Sequence, residues 1–246
     1  MSKQEKTEQR TLRVVSLYPR DMNMYGDRGN VLALLKRIRQ HGFEAELVSV
    51  NCGDELPLDG DIYVGGGGQD SGQVRVAKDL KSKAAALSEL ADRGVPMLMI
   101  CGMYQLFGKE FRTVNGEIME GVGILDVTTV GGQTRMIGNI VLDCGELGEV
   151  IGYENHSGNT VLGPDAEAFG SVKQGDGNNP EDGTEGARYR EVIGTYLHGA
   201  LLPKNPSITD HLIRVAAINR YGEFTPAAID DTAINQARQA AKSRPR

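Results

Sequence analysis

Short apolar runs alternate with amphipathic segments in the first part of the chain. The runs Leu12–Leu17, Glu44–Val50 and Asp61–Gly65 are rich in apolar and β-branched residues, and each predicts a strand. An apolar series at helical spacing lies between the first two strands and ends before a glycine: Val31, Leu34, Leu35, Ile38 and Gly42. Lys78–Arg93 predicts a further helix, which another apolar strand follows directly. This alternation is typical of an α/β fold with a mainly parallel sheet flanked by helices.

The middle of the chain has a different pattern. From about Gly116 to Thr160, short apolar and polar stretches are separated by glycines, which predicts antiparallel strands added at one edge of the sheet. Asn205-Pro206 then starts a last amphipathic helix, because asparagine suits the N-cap and proline suits the first helical position. The apolar face of this helix consists of Ile208, Leu212, Val215 and Ala216, and Gly222 predicts where the helix ends.

Two stretches fall outside the regular pattern. Lys173–Arg188 has almost no apolar residues and is rich in glycine, asparagine and aspartate, so it predicts a surface loop. The residues after about 228 have helical spacing in their middle part. We therefore expect one domain over residues 11–228, a flexible N-terminal tail over 1–10, and a C-terminal tail over 229–246 that could be helical.

Composition and charge are ordinary for a globular protein, with 39% hydrophobic and 24% charged residues among 246. The net charge of −6 argues against a general binder of nucleic acid or of anionic membranes, since both require a basic surface. No apolar run reaches about 18 residues, and Met1–Arg10 lacks the apolar core of a signal peptide, so we expect a cytoplasmic protein. Cys52, Cys101 and Cys144 have neither disulfide-framework nor zinc-site spacing, which predicts no metal site.

Cys101 stands where the apolar strand over Met97–Ile100 turns abruptly into a helix. Such a turn exposes a side chain at the carboxyl edge of a sheet, and the first N–H groups of the helix favour a thiolate there. The N–H of Gly102 would also be placed to hold an oxyanion. Cys101 is therefore a candidate nucleophile.

A candidate base for that nucleophile is His198. Tyr189–His198 predicts a strand whose last residue projects from the sheet edge. A cysteine and a histidine at the carboxyl ends of two strands fit an acyl-transfer pair, in which imidazole takes the thiol proton and later donates it to a leaving amine. The alternative is a buried cysteine and an ordinary strand-end histidine.

A run of four glycines, Gly65 to Gly68, makes that alternative less favourable. The run ends a short strand, and glycines allow the backbone to come close to a ligand. Backbone N–H groups of Gly66 or Gly67 could therefore join that of Gly102 in an oxyanion hole. A phosphate-binding loop is the rival interpretation, but the run lacks both the Lys-Ser/Thr ending of a P-loop and the spaced glycines of a dinucleotide-binding motif.

Together these segments resemble a class I, triad-type glutamine amidotransferase domain of the branch that includes cobyric acid synthase. The resemblance covers nearly the whole chain and implies a flavodoxin-like architecture. It rests on five segments in order: Tyr25–Asn30, Gly65–Asp70, Ile100–Gly108, Gly152–Gly158 and Tyr196–Gly199.

The resemblance implies a glutaminase. Cys101 would attack the side-chain amide of glutamine, giving a γ-glutamyl thioester and ammonia, with His198 as general base and acid. Arg135, in a Gly-Gln-Thr-Arg segment, would hold the α-carboxylate of glutamine, a natural bidentate partner for a guanidinium. Gln105, one helical turn after the cysteine, could also contact substrate, or it could only cap or pack the helix.

The same resemblance implies a partner subunit. Ammonia would pass to a MurT-like Mur ligase in a heterodimer, which would amidate the D-glutamate of lipid II to D-isoglutamine during peptidoglycan synthesis. No ATP site is visible in this sequence, so ATP and Mg²⁺ are expected on the partner and no cofactor on this chain.

One position departs from the pattern of most triad amidotransferases. They carry a glutamate two residues after the catalytic histidine, and this chain has Ala200 there, as the cobyric acid synthase branch does. We hypothesise that a partner supplies the acidic residue and that the isolated chain hydrolyses glutamine poorly, since an orienting carboxylate can contribute about ten-thousandfold in a serine triad.

The role of His156 stays open at this point. This residue, in the polar cluster Glu154–Gly158, could line the substrate pocket, contact the synthetase or belong to a hydrogen-bonded turn; His198 matches the catalytic base better.

The function also has alternatives. The chain could be a free-standing γ-glutamyl hydrolase or cysteine peptidase, or an amidotransferase subunit for a cobyric-acid-type acceptor. It could also be a non-catalytic binding module.

Overall fold

The computed structural model describes residues 9–68 and 70–243, and within these it contains two six-stranded sheets with helices around them. The strands are β1 (Thr11–Leu17), β2 (Glu44–Val50), β3 (Ile62–Gly65), β4 (Met97–Ile100), β5 (Glu110–Arg112), β6 (Ile118–Glu120), β7 (Val127–Asp143), β8 (Glu149–Leu162), β9 (Gly170–Gln174), β10 (Thr184–Glu185), β11 (Ala187–Tyr189) and β12 (Val192–Thr195). The helices are α1 (Arg28–Gln40), α2 (Asp70–Ser82), α3 (Ala84–Asp92), α4 (Gly102–Phe107), α5 (Leu201–Lys204), α6 (Pro206–Tyr221) and α7 (Thr232–Lys242), with short 3₁₀ turns at Met24–Gly26 and Gly145–Leu147.

The first sheet is the parallel sheet that the sequence predicts. Its strand order is β11-β12-β4-β3-β1-β2, and only the edge strand β11 is antiparallel to its neighbour. Every residue of β3, β4 and β12 is buried, because helices and the second sheet cover both faces. The α/β class and the antiparallel edge are therefore confirmed.

The strands from the middle of the chain form a second sheet rather than an extension of the first. Its order is β10-β9-β7-β5-β6, and β8 pairs with β7 along a long antiparallel hairpin. Apolar residues of this hairpin, such as Ile140 and Val150, pack in one core cluster with Leu197 and Ile208. The predicted attachment to the first sheet was wrong, because this packing joins the hairpin to α6 instead.

Lys173–Arg188 is not the surface loop predicted from its composition. The end of β9, all of β10 and part of β11 lie in it, and Asn178 and Glu185 are fully buried. The side-chain oxygen of Asn178 accepts hydrogen bonds from the Tyr104 hydroxyl and the Gly186 N–H, both at 3.0 Å, and its amide donates to the Gly186 carbonyl at 2.9 Å. Composition was misleading because polar side chains can be buried wherever the fold supplies their hydrogen-bond partners.

The ends of the chain are described only in part. Residues 1–8 of the predicted N-terminal tail, Gln69 of the glycine-run motif and residues 244–246 lie outside the described residues. In the C-terminal segment, Arg238 of α7 donates to the Lys204 carbonyl and to the Asn205 side chain, both at 2.7 Å. The proposed division of the chain at residues 11 and 228 stays a prediction.

Between residues 9 and 243, Gln69 aside, the structure has no helix that is both long and apolar enough to cross a membrane.

Replacing Asn178 with alanine should lower the free energy of unfolding by about 3 kcal/mol, because the Tyr104 hydroxyl and the backbone of Gly186 would lose buried partners. Urea-induced unfolding measures this effect. The control is Asn235→Ala on the exposed face of α7, for which we expect a change within about 0.5 kcal/mol. Equal stability of the two variants would contradict the buried role of Asn178.

Candidate active site

Cys101 lies at a sharp turn between β4 and α4. Its backbone has φ 52° and ψ −104°, a conformation that non-glycine residues rarely adopt. The Cys101 N–H donates to the Thr195 carbonyl at 2.8 Å, which fixes this turn to the neighbouring strand β12. Because the surrounding structure holds the strained turn, the partly exposed cysteine stands at the carboxyl edge of the sheet.

His198 approaches the same edge from β12. That strand ends at Thr195, three residues earlier than the sequence predicts, and Tyr196 and Leu197 lead to the histidine. The His198 N–H donates to the Tyr153 carbonyl at 2.8 Å, and the side chain is 1% exposed. The imidazole is therefore held in the interior at a fixed position along the edge.

The imidazole has an acidic neighbour, Asp27, which directly precedes α1. Asp27 Oδ1 lies 3.3 Å from His198 Nδ1, and Asp27 is 4% exposed. Its other oxygen, Oδ2, accepts a hydrogen bond from the Gly67 N–H at 2.7 Å. One buried carboxylate thus contacts both the candidate base and the glycine run, and it can orient the imidazole as the acid of a triad does.

The contact between Asp27 and His198 bears on the absence of an acid at Ala200. The hypothesis of a partner-supplied acid started from the missing glutamate at position 200, but this chain supplies a carboxylate from another segment. A Cβ on Gly29 would lie only 2.6 Å from the Cβ of Ala200. The first turn of α1, which carries Asp27 at its start, therefore occupies the space that a longer side chain at position 200 would need.

The glycine run lies beside Asp27. The N–H of Gly67 donates to Asp27 and its carbonyl accepts the Met24 N–H at 3.0 Å, and a role of Gly67 in an oxyanion hole stays a prediction. Gly66 accepts the Met103 N–H at 3.3 Å through its carbonyl. The backbone nitrogen of Gly68 lies 3.2 Å from the place where a Cβ on Gly102 would stand. The backbones of Gly68 and Gly102 thus lie next to each other, and the oxyanion role of Gly66 and Gly102 stays a prediction.

The charge on the imidazole follows from these neighbours. Burial lowers the pKa of His198, but the charge of Cys101 and hydrogen bonds with Asp27 and Cys101 outweigh it and raise that pKa to about 10. The site thus favours a protonated imidazole at His198 beside the cysteine.

Arg135 lies in the irregular part of β7, where pairing with β8 is interrupted between Gly131 and Met136. Its Nε donates to the Asn155 side chain at 2.6 Å, and the residue is exposed. The charges of Arg135 and His198 both help to lower the pKa of His156, which places the three side chains in one neighbourhood. A role of Arg135 in holding substrate stays a prediction.

Gln105 and His156 form part of the wall beneath the site. The Gln105 side chain accepts from Gln73 at 2.8 Å and donates to the Tyr196 hydroxyl at 3.2 Å, so both of its polar ends have protein partners. His156 stacks on the Tyr196 ring at a centroid distance of 3.6 Å, and its Nδ1 bonds to the Gly158 carbonyl at 2.9 Å. Burial lowers the pKa of His156 to about 4, so the ring is neutral at neutral pH.

Sequence reasoning missed Asp27 as the acid, although the residue lies in a segment that carries the family resemblance. A topological signal could have found it. The segments after β12, β4, β3 and β1 all leave the same sheet edge, and these strands are neighbours in that order. An acid at a helix start after β1 therefore meets the groups after the other three strands.

The described residues contain no group of three or more histidine, cysteine, aspartate or glutamate side chains placed to hold a metal ion.

Comparison with known proteins gives consistent relatives. The family described as CobB/CobQ-like glutamine amidotransferase domain matches residues 13–206. The GatD subunit of lipid II isoglutaminyl synthase (glutamine-hydrolyzing) from Staphylococcus aureus strain N315 is 40% identical over 219 residues, which cover 89% of each chain. The GatD subunit of the same synthase from Streptococcus pneumoniae strain R6 is 35% identical over 216 residues, covering 86% of this chain and 83% of the relative.

A solved structure supports the fold. A crystal structure of a glutamine amidotransferase aligns with a TM-score of 0.56 at 14% identity, covering 82% of this chain and 98% of the other.

The titration of His198 tests the charge state of the site. In histidine-labelled protein followed by NMR, its ring should stay protonated at neutral pH and lose its proton as the pH rises through about 10. In Cys101→Ala that pKa should fall, because the charge that raises it most is removed. Cys144→Ala is the control, since Cys144 is a buried cysteine that is not among the groups that shift the pKa of His198. A wild-type midpoint near the ordinary value of about 6.5 would contradict the ion pair.

Proposed function

The chain belongs to the CobB/CobQ-like glutamine amidotransferase domain family, and we propose that it is the glutaminase subunit of a lipid II isoglutaminyl synthase. The observation that supports the chemistry is the meeting of Cys101, His198 and Asp27 at one sheet edge, beside the glycine run. The choice of lipid II rests on the similarity to two GatD subunits over most of the chain.

In the proposed first half-reaction, His198 holds the thiol proton and the Cys101 thiolate attacks the side-chain amide carbon of glutamine. The N–H groups of Gly102 and Gly68 hold the resulting oxyanion. The intermediate collapses as the His198 imidazolium donates its proton to the leaving nitrogen, which departs as ammonia and leaves a γ-glutamyl thioester. Asp27 keeps the imidazole oriented and stabilises its charged form throughout.

In the second half-reaction, His198 deprotonates a water molecule, which attacks the thioester carbonyl. The thiolate leaves, glutamate is released and the imidazolium–thiolate pair is restored. Arg135 would fix the glutamine by its α-carboxylate, and the fork of a guanidinium suits that bidentate contact. Gln105 supports the wall of this site through Tyr196.

The acceptor reaction would take place on a second protein. We assign the ATP-dependent step to a MurT-like Mur ligase, which would bind ATP and Mg²⁺, activate the D-glutamate carboxyl group of lipid II and receive the ammonia. This assignment places the heterodimer in the cytoplasm, where the thiol of Cys101 would stay reduced.

A second candidate is a free-standing γ-glutamyl hydrolase. One specific observation favours it, since Asp27 completes the triad within this chain and no partner is needed to supply the acid. A cobyric-acid-type acceptor is supported only at the level of the family.

Ammonia release from glutamine should separate these functions. We expect release by the wild-type chain, its loss in Cys101→Ala, and a strong increase when a Mur-ligase-like partner is co-expressed. The measurement is ammonia production coupled to a dehydrogenase assay, together with mass spectrometry of lipid II for the amidated product. Release that ignores the partner would favour the hydrolase, and no release in either case would overturn the proposed glutaminase.

Replacing Asp27 with asparagine should lower kcat for glutamine hydrolysis by about a thousandfold, because the amide NH₂ would face a donor at either His198 or Gly67. Adding Ala200→Glu to this variant should not restore activity, since Gly29 occupies the adjacent space. Asp59→Asn, an exposed carboxyl before β3 at the opposite edge of the sheet, serves as the control. Wild-type activity of Asp27→Asn would exclude Asp27 as the orienting acid.

A further inference from the structure

The segment between β12 and His198 is held by a chain of hydrogen bonds. The Tyr196 N–H donates to Glu185 Oε1 at 2.7 Å, and the Leu197 N–H donates to Thr195 Oγ1 at 3.1 Å. The Thr195 hydroxyl in turn donates to Glu185 Oε2 at 2.9 Å. Together with the bond from the His198 N–H to the Tyr153 carbonyl, every backbone N–H from the strand end to the histidine has an acceptor.

Glu185 is the one acidic side chain in this chain of bonds, and it comes from a distant part of the fold. It lies on the short strand β10, in the polar segment before β11, and it is 0% exposed. Both oxygens of its carboxyl group accept hydrogen bonds, from the Tyr196 N–H and from the Thr195 hydroxyl. Burial raises the pKa of Glu185 to about 8 although these bonds oppose the rise, and a buried carboxyl group is costly unless such bonds compensate it.

We propose that Glu185 is a positioning residue for His198, which acts through the backbone of Tyr196 and Leu197. This inference rests on the proposed function and adds to it a residue that contacts neither the substrate nor the imidazole.

Loss of Glu185 would reach His198 through few contacts. Loss of the carboxylate would leave the buried Tyr196 N–H without its acceptor and would free the Thr195 hydroxyl, which now orders Leu197. The next residue is His198, whose ring must stay within reach of both Asp27 and Cys101. Displacement of a catalytic group by about 1 Å can cost about a hundredfold in rate. Tyr196 would move as well, although it also bonds to Thr160 and stacks on His156.

The proposal gives a role to the polar segment Lys173–Arg188. Glu185 lies on β10, which pairs with β9. Asn178 holds the adjacent Gly186 through two hydrogen bonds. The segment thus forms a buried support beneath the histidine strand.

The test compares Glu185→Gln and Glu185→Ala with wild type in glutamine hydrolysis. We expect kcat to fall by about tenfold in Glu185→Gln, whose amide keeps one hydrogen-bond acceptor, and by about a hundredfold in Glu185→Ala. The KM for glutamine should change by less than about twofold in both variants. Thr195→Val removes the second link and should lower kcat in the same direction. Glu181→Gln, an exposed residue of the same segment, is the neutral control, and Leu87→Ala, at a buried position of α3, is the control for lost stability.

A second readout does not require turnover. The rate of Cys101 alkylation by iodoacetamide at a fixed neutral pH, resolved by peptide mass spectrometry, reports on the placement of His198 beside the sulfur. We expect this rate to fall in Glu185→Ala and to remain unchanged in Leu87→Ala at a temperature where both variants are folded.

The outcomes separate the two proposals. A lower kcat with constant KM and slower alkylation would support Glu185 as a positioning residue. Wild-type kcat and alkylation in folded Glu185→Ala, or losses that only match those of Leu87→Ala, would overturn it. If Glu185→Ala does not fold, Glu185→Gln and Thr195→Val decide by the same criteria. If the wild-type chain releases no ammonia, the proposed function fails, and the alkylation rates still test Glu185.

Discussion

Parallel pairing of β12, β4, β3 and β1 is the constraint on which the site depends. Parallel strands end at the same edge, so the segments that follow them meet there even when they are far apart in sequence. His198 and Asp27 are 171 positions apart, yet their side chains are 3.3 Å from each other. The turn at Cys101 is tied to β12 by its own backbone N–H. The pairing of the strands thus brings the three residues of the candidate triad together at one edge of the sheet.

Buried hydrogen bonds then determine how accurately these groups are held. Asp27 links the imidazole to the glycine run, so the orientation of the base and the conformation of the oxyanion loop depend on one carboxylate. Glu185 holds the backbone that leads to His198. Each group would be costly to bury alone, and the donors around it offset that cost. Burial lowers the pKa of His198, but its interactions with Cys101 and Asp27 outweigh burial and raise that pKa to about 10.

The departures from the sequence-based predictions have one cause. A predicted loop became a buried support because Asn178 and Glu185 found partners from distant strands. Ala200 suggested a missing acid, whereas α1 both fills the space beside it and brings Asp27. In each case the deciding contact joins residues that lie far apart in the chain.

The sequence by itself determined the α/β class, the parallel sheet, the family, and Cys101 and His198 as candidates, because hydrophobic periodicity and strand-end motifs are local properties of the chain. Only the tertiary structure decided that the middle strands form a separate sheet, that Asp27 is the acid beside His198, and that Glu185 supports the histidine backbone. The physical reason is that a carboxylate acquires its role from the donors that surround it after folding. Those donors come from strands and loops whose proximity no local pattern encodes.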